Sequence, residues 1–235
     1  MEMMRRPLAV LAMISLGLLI GCGPKADPVE PTTPKETSPP VAKETGPAEP
    51  KAGWKRHTAE AGFTLDLPES YKAFDPKDPN LAKAVADAEK ENPAMQSLLK
   101  QSAANQNFVF WALNSADIKD GFAQNLNVIK SPGGDTSANL EEIVRVQRPA
   151  MEKQLPAGSK VILMEVEKLP FGECIHSQLE LSMQSNGKTL NVHCHQYLVM
   201  RSDGMFTFTY TGLIPDSDKV KEDAKESIST LTFKS

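Results

Sequence analysis

The stretch ECIHSQLELSMQSNGKTLNVHCHQYLVM, Glu173 to Met200, reads as two strands around a turn. Asn186-Gly187 is a strong two-residue hairpin signal, because both central residues of a type I′ turn need positive φ. A two-residue turn pairs Ser185 with Lys188. Glu180 then faces His193, Gln178 faces His195 and His176 faces Tyr197, all on one side of the sheet. The other side carries Ile175, Leu179 and Leu181 with Leu190, Val192, Cys194 and Leu198. Asp203-Gly204 repeats the turn signal. The region from Ser159 to Gly212 is therefore expected to be an antiparallel meander of four strands, Val161–Lys168, Phe171–Met183, Lys188–Met200 and Met205–Gly212.

The same register decides the cysteines. Cys174 falls opposite Val199, on the face away from Cys194. A one-residue change of turn would bring the two to one face, but about 13 Å apart along the ladder. A disulfide needs Cα atoms within about 7 Å, so two free, half-buried thiols are expected.

Three of the chain's 4 histidines thus gather beside a glutamate. His193 and His195, with Glu180 and His176, form the candidate metal set, since imidazole and carboxylate both ligate zinc. The plainer alternative is a polar sheet face satisfied by water or by a covering helix. No His-Glu-x-x-His spacing supports the metal reading, and strand alternation alone places such residues on one face. Cys174 and His176 share a face as a nucleophile and base could, but buried free thiols are common core filler. Phe206, Phe208 and Tyr210 alternate as core residues. A nucleophile elbow, a dinucleotide turn and a zinc-protease motif are all missing from the sequence, so no catalytic residue is assigned.

Outward from the meander, Trp54–Thr58 and Phe63–Leu67 read as strands joined near Ala61-Gly62, and Pro68 stops the second. Asp78-Pro79 and Asn92-Pro93 each look like a helix start, implying helices over Asn80–Glu91 and Ala94–Gln101. Strands are expected over Asn107–Leu113 and Phe122–Ile129, then a turn at Ser131-Pro132-Gly133-Gly134. Asn139 with Glu142 signals a further helix, which Pro149 should break or kink. A last helix, Asp216–Ser229, carries Val220, Ala224 and Ile228 at a spacing of four, and Leu231 and Phe233 close the chain.

At the other end, Arg5 and Arg6 precede an apolar run from Pro7 to Ile20 that is too short to span a membrane. Leu19-Ile20-Gly21-Cys22 follows. A basic segment, an apolar core and small residues before a cysteine resemble a bacterial lipoprotein signal. That resemblance implies removal of residues 1–21 and lipid on Cys22, so that the membrane is a partner through the lipid. Gly23, rather than Asp, resembles the signal for export to an outer membrane facing the periplasm; with one membrane it means the outer face of the plasma membrane. Residues 22–53 hold eight of the 18 prolines and no aromatic residue. Such a segment cannot bury enough apolar surface to order itself. It is expected to be a disordered tether reaching up to about 90 Å, at about 3.1 Å per residue.

The remainder, 54–235, is the length of one ordinary domain. The whole chain carries 26 Lys+Arg against 30 Asp+Glu, well mixed and without a basic stripe, which argues against nucleic acid as a partner.

Gly62-Phe-Thr-Leu-Asp-Leu-Pro68 resembles the opening of PsbP-like and DcrB-like domains. The order of elements agrees: a central helix, a long antiparallel meander and a closing helix that ends in Ile228-Ser229-Thr230-Leu231-Thr232-Phe233. This resemblance implies an α+β fold, an α/β/α sandwich with a central antiparallel sheet, in a largely non-enzymatic family. PsbP proteins assist a photosynthetic membrane complex and DcrB-like lipoproteins sit in the envelope. The expected function is a non-catalytic, lipid-anchored cell-envelope protein without cofactor that binds or helps assemble a membrane-associated protein partner. The alternative is binding of a small ligand or zinc around His193 and His195.

Overall fold

The computed structural model describes residues 49–76, 78–91, 108–119, 122–132, 136–185 and 188–234. The leader, Cys22 and the tether up to residue 48 lie outside the described residues, as do the helix expected over Ala94–Gln101, Asn107, Gly133-Gly134 and Asn186-Gly187.

The chain opens with β1 (Trp54–Ala59), β2 (Phe63–Pro68) and the short β3 (Tyr71–Phe74). Helix α1 (Leu81–Glu91) follows, then β4 (Phe108–Lys119) and β5 (Phe122–Ser131). Helix α2 (Leu140–Gln154) leads into β6 (Lys160–Leu169), β7 (Gly172–Ser185), β8 (Lys188–Arg201) and β9 (Gly204–Leu213). A 3₁₀ turn, Ile214–Asp216, feeds α3 (Ser217–Ser229), and β10 (Thr232–Phe233) ends the chain. The fold is mixed α+β. Seven strands form an antiparallel sheet in the order β3-β4-β5-β9-β8-β7-β6, and β1, β2 and β10 form a separate three-stranded sheet.

The β7–β8 register is the one that the turn chemistry demands: Ser185 with Lys188, Glu180 with His193, Gln178 with His195 and His176 with Tyr197. β9 extends it, pairing Val199 with Phe206, Tyr197 with Phe208 and His195 with Tyr210. The histidine face is therefore also the face of the aromatic row. Phe63 from β2 lies edge-on to Phe110, Phe206 and Phe208 at 5.7, 6.0 and 5.2 Å. Val220, Ala224 and Ile228 of α3 complete the same core. Each large side chain buried here contributes about 1.5–3 kcal/mol.

Helix α3 lies very close to the sheet. A Cβ at Gly212 would come within 2.2 Å of Val220 Cγ2, so only glycine fits beneath the helix at that point. Tyr210 Oη donates to Ser227 Oγ at 2.8 Å, which fixes the helix about the same line. The small sheet is joined to the helix end by Asp66 N–H donating to Thr230 Oγ1, and the Asp66 side chain, 3% exposed, is held by Arg56 at 2.8 and 2.9 Å.

Four local expectations need correction. Both cysteines are free among the described residues, but fully buried rather than half-buried, because both faces of the sheet are covered at their positions. Of the break or kink expected at Pro149, the break does not occur, and α2 continues to Gln154. The residue is exposed, so the carbonyl that it leaves without an amide partner can be hydrated. β3 has no counterpart in the sequence reading: its four residues pair with Trp111–Asn114, about forty positions on, and nothing local announces that pairing. β4 runs beyond Leu113 to Lys119, through a register shift between Leu113 and Ile118 that breaks the alternation.

Candidate functional site

The described histidines of the meander form one row on β7 and β8 beneath α3. Alternation places His193, His195 and Tyr197 on one face of β8, and pairing brings His176 alongside. His193 and His195 have ring centroids 4.7 Å apart, His195 and His176 5.5 Å, and His176 stacks on Tyr197 at 4.4 Å with 7° between the planes. His195 is 0% exposed and His176 7%, while His193 is half-buried at the open end of the row.

His176 Nε2 and His195 Nδ1 are 3.2 Å apart, one donating and the other accepting according to the tautomer of each ring. His176 Nδ1 is 2.9 Å from Glu167 Oε2, without hydrogen-bond alignment. His195 Nε2 and His193 Nε2 are both buried without a hydrogen-bond partner among the described residues.

Electrostatics keep the row neutral. Burial pushes His195 down to about 3, helped by His193, His176 and Lys221 of α3. Burial and Lys221 hold His176 near 4. His193 is lowered by burial, against the pull of Glu180 and Asp218. Burial and the neighbouring Glu165 raise Glu167, with Lys225 opposing. At neutral pH His176 is a neutral imidazole, so its contact with Glu167 is not an ion pair.

Of the four candidate metal residues, the structure brings His176, His193 and His195 together. Glu180 stands opposite His193 in the ladder, but its carboxylate is 2.7 Å from Lys160 Nζ. Among the described residues, no group of three or more His, Cys, Asp and Glu side chains is arranged to hold a metal ion. Burial pushes the Cys174 thiol up to about 12 and Cys194 to about 11, so neither is a thiolate at neutral pH. The fourth histidine, His57 of β1, lies edge-on to Phe110 of β4.

Glu167 was not singled out in the sequence. A two-residue turn at Pro170-Phe171, pairing Leu169 with Gly172, sets it opposite Cys174 and next to His176 along the sheet. That turn was the available signal, although the irregularity between Val161 and Leu163 hides the register farther along β6.

No protein-family model matches the chain, and no curated protein matches it significantly. Solved structures do resemble it in shape. The solution structure of the cyanobacterial PsbP, CyanoP, from Synechocystis matches at 13% identity and a TM-score of 0.46, covering 82% of this chain and 97% of that one. LpqN of Mycobacterium tuberculosis, described as involved in cell envelope biogenesis, matches at 12% identity and 0.45, covering 77% and 91%. A Bacteroides thetaiotaomicron protein matches at 14% and 0.43, covering 77% of this chain and 48% of its own. All three lie below 15% identity and a TM-score of 0.5, and no role is carried over from them. No helix of the described residues is long and apolar enough to cross a membrane.

Proposed function

We propose that this chain is a non-catalytic, lipid-anchored cell-envelope protein that binds or helps assemble a membrane-associated protein partner. The observation that carries the reading is Leu19-Ile20-Gly21-Cys22, placed directly after a basic and an apolar segment. Two or more acyl chains on Cys22 hold a protein firmly, at about 0.8 kcal/mol per buried CH₂. The proline-rich stretch that follows carries the domain away from the membrane surface.

The test is metabolic labelling of cells with an alkyne-tagged palmitate, followed by fractionation and a cross-linked pull-down of the full chain. Label and membrane association should appear in the native protein and vanish in Cys22→Ala, and a membrane protein should be recovered only with the anchored form. An unlabelled, unanchored native protein would refute the reading. So would an enzymatic turnover lost in Cys174→Ala.

A further inference from the structure

Helix α3 is seated on the sheet at two points, and the histidine row runs beside both. Val220 packs on Gly212, which pairs with His193, and Ser227 accepts from Tyr210 Oη, whose residue pairs with His195. Strand β8 is hydrogen-bonded to β7 on one side and β9 on the other, whereas α3 is held to these strands by side chains. Lifting α3 breaks no ladder, so it is the easier way to bring water to His195, which is 0% exposed and whose Nε2 has no partner among the described residues. The groups that face the row are Lys221, Lys225 and Asp218 of α3, Glu165, Glu167 and Lys160 of β6, Glu180 of β7, and Tyr197, Tyr210 and the Cys174 thiol within the sheet. Carboxylates attend its two ends: Glu167 is 2.9 Å from His176 Nδ1, and Glu180 and Asp218 attract a proton to His193. His195 stands between the other two imidazoles, and the charges that act on it, those of His193, His176 and Lys221, all repel a proton. A charge buried there without a counter-charge is far less stable than a hydrated one.

We propose that α3 is an acid-released cover: protonation of His195 lifts the helix and exposes the face around His195 and Tyr210, while the seven strands stay paired. In water an imidazole regains a proton affinity near 6.5, against about 3 for His195 and about 4 for His176 beneath the helix, where burial is the main cause. The seated state therefore binds fewer protons, so acid favours release and alkali favours the seated helix. One proton taken up on release multiplies the released population about tenfold for each pH unit below about 6.5. His176 and His193, uncovered with His195, steepen that response. Lys221 adds to it, since it is exposed and repels a proton on all three rings. Val220, Ala224 and Ile228 leave the core on release, which keeps the released form rare at neutral pH. The device is independent of the anchor.

The test is hydrogen exchange read by mass spectrometry on the full chain in detergent, from about pH 7 to about pH 4, with rates corrected for the intrinsic pH dependence of amide exchange. Peptides of Ser217–Ser229 should lose protection by about tenfold or more per pH unit below about pH 6, ahead of those of β7, β8 and β9. Lys221→Glu alters an exposed residue and should keep the fold by circular dichroism. Its carboxylate near the row should move the release to lower pH by about one unit. His195→Gln removes the titrating group and should flatten the response. The proposal is overturned if α3 stays protected down to about pH 4, or if α3 and the strands lose protection together. It is also overturned if Lys221→Glu releases α3 at the native pH, or if folded His195→Gln responds as steeply as the native chain.

Discussion

Replacing Gly212 by alanine tests how α3 is seated on the sheet. The added Cβ would lie 2.2 Å from Val220 Cγ2, against an ordinary carbon–carbon contact of about 3.5–4.0 Å. Helix or strand must then shift by more than about 1 Å. Val220 is β-branched and holds one strongly preferred rotamer in a helix, so it cannot rotate away, and Tyr210 and Ser227 tie the helix on the same line. Overpacking costs about 1–3 kcal/mol, and the upper end applies here. At about 2–4 °C per kcal/mol for a domain of this size, Tm should fall by about 6–12 °C. Val220→Ala alone should cost about 2 kcal/mol through its cavity. The double variant should be more stable than the sum of the two by about 1–2 kcal/mol, since each change makes room for the other. Urea unfolding of the four proteins measures this. A Gly212→Ala cost below about 0.5 kcal/mol, or strict additivity with Val220→Ala, would refute the packing described.

Three further outcomes are expected. His57 and His176 are held near 4 and His195 near 3 in the folded protein, against about 6.5 when unfolded. The depressed values mean that the unfolded chain binds more protons, so stability is complete above about pH 6.5 and is lost as pH falls toward 4. The slope reaches up to about 4 kcal/mol per pH unit near pH 5, and urea midpoints that stay level between about pH 7.5 and 5 would count against it. Cys174 and Cys194, buried and protonated, should resist iodoacetamide in the folded state and react fully in denaturant, as read by mass spectrometry. Arg56→Ala strands the buried Asp66 carboxylate and should cost about 2–3 kcal/mol in denaturant unfolding, more than Asp66→Asn combined with it.

Local chemistry alone determined much of this molecule. Asn186-Gly187 and the period of two in the strands around it set the β7–β8 register, hence the alignment of His176, His193 and His195 and the separation of Cys174 from Cys194. These depend only on turn geometry and on side chains alternating across a strand. The spacing of Val220, Ala224 and Ile228 likewise marked the buried face of α3. What alternation could not decide was which face of the sheet is covered. Both carry apolar residues, Ile175, Leu179 and Val192 on one and Val199, Phe206 and Phe208 on the other. The histidine row could therefore have faced water. Only the return of α3 onto Gly212 and of β2 onto the aromatic row buries it, lowering its proton affinity and leaving His195 Nε2 without a partner. Glu167, by contrast, reaches His176 through the local turn at Pro170-Phe171, and only the cover over the row buries that contact.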